Sequence, residues 1–128
     1  MLIDVPIDIQ NAAIKNFKYP ETVNIRAYKP TVKGNPVQIK KVIKELEKAK
    51  RPIICAGGGV HLSDAVPALR TFADKYRIPV VSTMMGIGVM RTEDPMYFGM
   101  VGNNGKAYAN RAMNESDLLI MVGARVAD

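Results

Sequence analysis

Residues 52–59 read Pro52-Ile53-Ile54-Cys55-Ala56-Gly57-Gly58-Gly59, a continuous apolar run that ends in three glycines. Such a run, without polar alternation, is typical of a strand buried on both faces in a parallel sheet. The same arrangement recurs at residues 118–123, where Leu-Leu-Ile-Met-Val is followed by glycine. A third, shorter run at residues 79–82 is followed by Thr83 and Gly86. The sequence therefore predicts three buried strands, each ending near a glycine-bearing turn.

Helical periodicity occupies the segments between these runs. Residues 37–49 carry an apolar stripe, and Pro36 suits the first turn of that helix. We expect a second helix that is capped by Ser63, with Asp64 in its first turn, and a third helix over residues 106–115. The alternation predicts an α/β fold, a Rossmann-like parallel sheet with flanking helices.

The first 36 residues have a different character. Leu2-Ile3-Asp4-Val5-Pro6 predicts a short strand that proline stops, whereas residues 11–36 are irregular and punctuated by proline and glycine. We expect residues 1–10 to be the end of a preceding domain, residues 11–36 to be a linker, and residues 37–128 to be the α/β domain. Because a doubly wound sheet usually continues beyond three strands, we expect that domain to be truncated at its C-terminus.

Composition excludes several classes of protein. The chain has 128 residues with one Cys and one His, too few for an internal disulfide or a closed structural zinc site. No apolar run approaches the roughly 20 residues of a membrane span, and the N-terminus lacks the features of a secretory leader. These observations predict a cytoplasmic protein, or part of one, without a membrane partner.

The positive charge is concentrated in one segment. Residues 15–51 contain eleven Lys or Arg residues and only three Glu residues. Five of these residues follow the polar face of the helix predicted over 37–49, which favours a solvated surface over a nucleic-acid site: Lys40, Lys41, Lys44, Lys48 and Lys50. We therefore expect no nucleic-acid partner.

The glycine-bearing turns form the main candidate site. In an open α/β sheet, ligands lie at the carboxyl ends of the strands, and glycines allow backbone N–H groups to approach a phosphate. Three such turns at one edge predict a nucleotide-like ligand. A hydride-transfer site fits less well, because Leu62 replaces the third glycine of the G-x-G-x-x-G pattern. Ser82 and Thr83 also stand where an acidic residue would hold a ribose.

Several side chains near these turns allow two interpretations. His61 lacks a nucleophile or carboxylate at a suggestive spacing, so we expect a structural role, and Cys55 is expected to be an inert core residue. Arg125 would either contact an anion or form a surface salt bridge. Five methionines would either fill core gaps or line a flat ligand: Met84, Met85, Met90, Met96 and Met100.

An ordered set of short motifs then gives a family resemblance. The chain resembles the large catalytic subunit of acetolactate synthase, also called acetohydroxyacid synthase. The motifs are Leu2-Ile3-Asp4-Val5-Pro6-Ile7-Asp8-Ile9-Gln10, Ala49-Lys50-Arg51-Pro52-Ile53-Ile54 leading to Gly57-Gly58-Gly59, Thr83-Met84-Met85-Gly86, Phe98-Gly99-Met100, Ala109-Asn110, Ser116-Asp117-Leu118 and Gly123-Ala124-Arg125. Residues 1–10 are similar to the end of the family's pyrimidine-binding domain, and residues 37–128 to its central domain.

The resemblance implies a function for the parent enzyme. Family members use thiamine diphosphate and magnesium to decarboxylate pyruvate and join the two-carbon unit to a second 2-keto acid, on the route to branched-chain amino acids. Both cofactor sites would lie outside this chain. No residue here is therefore assigned to catalysis or to a metal, and the chain alone is expected to be inactive. The resemblance also implies a homodimer or homotetramer, with or without a regulatory subunit.

The central domain of this family holds FAD that performs no net redox chemistry. The resemblance carries the FAD contacts onto ten residues: Gly57, Gly58, Gly59, Thr83, Met84, Gly102, Gly105, Gly123, Ala124 and Arg125. Asn103-Asn104 replaces the Met-His pair of many FAD-binding members, and Val126-Ala127 replaces Phe-Asp. These departures leave FAD, another nucleotide and no ligand as alternatives. The central domain of a pyruvate oxidase or glyoxylate carboligase, and a stand-alone nucleotide-binding module, are the competing interpretations.

Overall fold

The computed structural model describes residues 2–27 and 31–126. The chain divides into two compact units, Met1–Gly34 and Asn35–Asp128. The first unit contains one short helix, α1 (Ile7–Gln10), and all of its described side chains are exposed. Among the described residues, no helix is long and apolar enough to cross a membrane.

The strand predicted over residues 2–6 does not form. Residues 2–6 have no regular structure, and the Gln10 side-chain amide donates a hydrogen bond to the carbonyl oxygen of Val5 at 2.6 Å. A strand is stable only when its N–H and C=O groups pair with a neighbour, and no described segment pairs with this one. The assignment of residues 1–10 and 11–36 to a preceding domain and a linker stays a prediction.

The second unit alternates helices with strands, as the sequence predicts. Its elements are α2 (Pro36–Lys48), β1 (Pro52–Ala56), α3 (Gly59–Leu62), α4 (Val66–Tyr76), β2 (Val80–Ser82), a 3₁₀ turn (Met84–Gly86), β3 (Tyr97–Met100), α5 (Ala107–Asn114) and β4 (Leu118–Val122). Pro36 occupies the first turn of α2, and the side chain of Asn35 caps this helix by accepting the N–H of Val37 at 2.9 Å.

The four strands form one parallel sheet in the order β3-β2-β1-β4. The chain proceeds outward from β1 to β2 and β3, and then returns to the other side of β1 to form β4. This is the beginning of the doubly wound order 3-2-1-4-5-6, in which the direction of winding changes between strands 1 and 4. The fold is therefore α/β. Its topological switch point lies at the carboxyl ends of the neighbouring strands β1 and β4.

Two cores flank the sheet. Alternate side chains of β1 enter them: Ile54 packs with Val80 in one core, while Ile53 and Cys55 pack with Val81 in the other. All five are buried, which confirms that β1 is covered on both faces.

Strand β4 does not share this two-sided burial, and that part of the prediction is wrong. Ile120 and Val122 pack against one core, whereas Leu119 and Met121 are 41% and 42% exposed. An apolar run identifies a strand, but the sequence does not specify which elements cover each face.

Two further local predictions are wrong. Ser63 does not begin a helix: its hydroxyl donates to the carbonyl oxygen of Gly59 at 2.7 Å, so it closes α3. Asp64 is not in the first turn of a helix: it adopts a positive φ of 52° between α3 and α4, and the helix that carries the apolar stripe begins at Val66. Strand β3 was not predicted, because Tyr97–Met100 follows Asp94-Pro95 within a stretch rich in turn residues.

Candidate functional site

Three loops enclose a groove at the switch point. They follow β1, β2 and β4, and the groove has a volume of about 600 Å³, within the range of ligand pockets in proteins. Its lining consists of Gly58, Gly59, Leu62, Thr83, Met84, Met85, Gly123, Ala124 and Arg125. Seven of the ten sequence-predicted site residues are in this list, so the fold brings them together at one place. Leu62 and Met85 complete the lining.

Gly57 lies directly behind the groove rather than in its lining. A β-carbon at this position would be 2.5 Å from both the Cα of Ala124 and the carbonyl oxygen of Gly123. The N–H of Gly57 donates to the carbonyl oxygen of Val122 at 2.9 Å, and the N–H of Gly59 donates to that of Gly123, also at 2.9 Å. These two glycines therefore join the turns after β1 and β4, and their N–H groups are already used within the fold.

Other donors belong to residues that line the groove. Among the described residues, no backbone carbonyl accepts a hydrogen bond from the N–H groups of Gly58, Ala124 or Arg125. The Arg125 side chain is exposed and forms no salt bridge with a described carboxylate. Because α3 has only four residues, its dipole is small, and an anion would be held by these donors and by the guanidinium group.

The opposite wall of the groove is apolar. Met84 and Met85 lie in the 3₁₀ turn after β2 and are 70% and 71% exposed. Met90 is only 3% exposed and belongs to the core. Met90 therefore fills the core, whereas Met84 and Met85 line the groove; that the pair covers a flat ligand stays a prediction. An exposed thioether pair can cover the face of a planar ring.

Gly102 and Gly105 lie away from this groove, in the loop after β3. The Asn110 side-chain amide holds that loop, because it accepts from the N–H of Gly102 and donates to the carbonyl oxygen of Gly102, both at 2.9 Å. A β-carbon at Gly105 would be 2.5 Å from the carbonyl oxygen of Met100. Gly102 has a positive φ of 114°, so each of the two glycines has a structural reason to be glycine. Asn103 and Asn104 belong to the same loop and do not line the groove.

Cys55 and His61 have the structural roles that the sequence favours for them. Cys55 is buried in the core, and this burial raises the pKa of its thiol, so the group stays protonated and unreactive. The Nε2 atom of His61 is 3.1 Å from the carbonyl oxygen of Ile87. Within residues 2–27 and 31–126, no cluster of His, Cys, Asp or Glu side chains is arranged to hold a metal ion.

The fold and the groove together define a class of protein, a doubly wound α/β domain with a ligand groove at its switch point. Comparison with known proteins specifies the family. Residues 39–128 match the family described as "Thiamine pyrophosphate enzyme, central domain". The chain belongs to this family, whose members are thiamine diphosphate enzymes.

Curated relatives match almost the whole chain. The acetolactate synthase large subunit of Haemophilus influenzae is 41% identical over 100% of this chain and 22% of its own length. The probable acetolactate synthase large subunit of Methanocaldococcus jannaschii is 43% identical over 98% of this chain and 22% of its length. The acetolactate synthase large subunit of Corynebacterium glutamicum is 38% identical over 100% of this chain and 20% of its own length. The chain thus spans about a fifth of the length of the curated relatives it matches.

Proposed function

We propose that this chain is the central segment of an acetolactate synthase large subunit and that its groove binds FAD. The observation that carries the first part is the identity of about 40% with large subunits of that name over nearly every residue of the chain. The second part rests on the groove at the switch point, where an apolar wall faces a cationic one.

The groove suits a dinucleotide in two respects. Arg125 and the N–H groups of Gly58 and Ala124 supply donors for a diphosphate. Met84 and Met85 supply an apolar surface for a planar ring. Asn103 and Asn104, which stand where many FAD-binding members have Met-His, lie outside the lining of the groove. Their presence therefore removes no group from the groove. When bound, FAD would contribute structure rather than net redox chemistry, as the family resemblance implies.

The parent enzyme would perform the chemistry with groups from outside this chain. It would bind thiamine diphosphate and magnesium, decarboxylate pyruvate and join the product to a second 2-keto acid for branched-chain amino-acid synthesis. The parent enzyme would be a cytoplasmic homodimer or homotetramer, with or without a regulatory subunit. This chain would supply the flavin groove and part of the subunit scaffold.

An FAD titration followed by flavin fluorescence tests the proposed groove. We expect saturable quenching for the wild-type chain and weaker binding for Arg125→Ala, because that substitution removes the cation of the groove. Arg91→Ala is the matched control, since it removes the same charge from an exposed residue outside the groove and should leave the Kd unchanged. Equal Kd values for the two variants would contradict the proposed site.

A further inference from the structure

Residues 83–89, which we name the methionine loop, form one wall of the groove. The loop is attached to β1 on its inner side, where the N–H of Thr83 donates to the carbonyl oxygen of Ala56 at 2.9 Å. Gly86 is in close contact with the same carbonyl group, since a β-carbon there would overlap it. The exposed Met84 and Met85 lie between these two attached residues, and the N–H of Ile87 at the outer end of the loop donates to the carbonyl oxygen of Met84 at 3.4 Å.

The outer end of the loop is held by side chains from two helices. Three successive carbonyl oxygens, those of Ile87, Gly88 and Val89, each accept a hydrogen bond. His61 Nε2 is 3.1 Å from the first, Arg70 Nη2 is 3.0 Å from the second, and Arg70 Nε is 2.7 Å from the third. A carbonyl oxygen only accepts, so the geometry requires that Nε2 of His61 carries the hydrogen.

The two exposed residues of the outer end, Ile87 and Gly88, lie between the buried Gly86 and Val89, and the bonds from His61 and Arg70 are what hold their carbonyl groups. Gly88 has a positive φ of 95°, and glycine has the widest choice of backbone conformations. The loop's position matters for the groove, because a β-carbon at Gly58 would be only 3.0 Å from Cβ of Met85. A small outward shift of the loop would therefore separate the methionine wall from the turn after β1.

We propose that His61 and Arg70 are positioning residues that set the width of the groove by holding the methionine loop, and thereby determine its affinity for the nucleotide. The affinity part rests on the proposed function. Neither residue needs to touch the ligand, and neither is in the lining. Their effect would act through Met84 and Met85.

Substitutions at His61 test this role with little risk to folding, because the side chain is exposed. We expect His61→Ala to raise the Kd for FAD by about three- to tenfold, the typical effect of losing one hydrogen bond. His61→Gln keeps an N–H donor near the position of Nε2 and should restore the Kd to within about twofold. Thermal unfolding of each variant shows whether the fold is retained.

Amide hydrogen exchange on the ligand-free chain supplies an independent readout. We expect exchange of residues 84–89 to accelerate in His61→Ala and to return to the wild-type rate in His61→Gln, while the amides of β1 keep their protection. Unchanged loop exchange in His61→Ala would overturn the positioning role. A Kd for His61→Gln as high as that of His61→Ala would also overturn it.

The two readouts separate this proposal from the proposed function. If the wild-type chain does not quench FAD, the proposed function and the affinity part of this inference are both overturned. Faster loop exchange in His61→Ala would in that case still support the hold on the loop, because that measurement needs no ligand.

Discussion

At the residue scale, the three consecutive glycines after β1 do not share one structural requirement. Gly57 and Gly59 pack directly on the backbone of residues 123–124, so a β-carbon at either position would force the two turns apart. Gly58 has φ −60° and ψ −24°, a conformation that every residue adopts, and it lines the groove. The motif therefore combines a packing requirement with a ligand-facing position.

Alanine substitutions separate these two reasons. We expect Gly57→Ala to lower the free energy of unfolding by about 1–3 kcal/mol, the usual effect of overpacking. Gly58→Ala should change it by less than about 1 kcal/mol, because alanine suits helical dihedral angles. It should nevertheless weaken FAD binding, since its methyl group would face Met85. Urea unfolding and flavin titration of both variants check this, and equal losses of stability would contradict it.

The buried hydroxyl of Ser82 is a second residue-scale feature. Ser82 is fully buried at the end of β2, and its Oγ is 2.7 Å from the hydroxyl of Tyr97 on β3. We expect Tyr97→Phe to lower the free energy of unfolding by about 1–3 kcal/mol, because a buried hydroxyl loses its partner. The double variant Ser82→Ala/Tyr97→Phe should lose less than the sum of the single variants. Strict additivity in chemical unfolding would show that the two hydroxyls do not interact.

At the scale of elements, one carboxylate fixes the register between β1 and β4. The Asp117 side chain accepts the N–H groups of Lys50 and Arg51, both at 2.8 Å, immediately before the two strands begin. Pro52 then pairs with Leu118, and the ladder continues to the groove. Asp117 thus aligns the two strands whose ends form the site, although it is 67 positions away from Lys50 in the sequence.

The same carboxylate makes stability depend on pH. The two backbone N–H donors hold the pKa of Asp117 below its ordinary value. Its contribution to stability is therefore full above the pKa of the unfolded chain and is lost as the pH falls toward the folded pKa.

Asp117→Asn removes this titration. We expect its stability deficit relative to wild type, measured by thermal unfolding, to shrink as the pH falls below about 4. Asp74→Asn, on an exposed helix residue, is the control and should show no such trend. A deficit for Asp117→Asn that is the same at pH 7 and pH 3 would contradict this interpretation.

Elements with a strong period could be predicted from the sequence, and elements defined by pairing could not. The apolar runs and stripes predict β1, β2, β4, α2 and α5. Strand β3 pairs with β2, and its short apolar run is interrupted by Gly99 and flanked by turn residues on both sides. Residues 2–6 show the converse, since an apolar composition does not make a strand without a partner.

The candidate site could likewise be predicted from the sequence only in part. Glycine-bearing turns at the ends of strands are visible in the sequence, and seven of the ten predicted residues meet in the groove. The sequence does not reveal that the N–H groups of Gly57 and Gly59 are used within the fold. It also does not separate the loop of Gly102 and Gly105 from the groove, because that depends on the position of β3 in the sheet.

At the scale of the whole molecule, the chain contains the groove that we propose binds a nucleotide, but it covers only about a fifth of the length of its curated relatives. We expect the purified chain to form no acetolactate from pyruvate when thiamine diphosphate and magnesium are supplied. The physical reason is that the described residues offer no group of carboxylates or histidines able to hold the metal. A colorimetric acetolactate assay checks this, and turnover above a boiled-protein control would contradict it.

The central claim is that the groove between the ends of β1 and β4 binds a flavin nucleotide. The most direct measurement is a ¹H–¹⁵N correlation spectrum of the labelled chain during titration with FAD. The account predicts saturable shifts at Gly58, Met84–Met85 and Gly123–Arg125, with Lys50 and Arg51 at the opposite end of β1 unaffected. No saturable shifts, or shifts centred on Lys50 and Arg51, would contradict it.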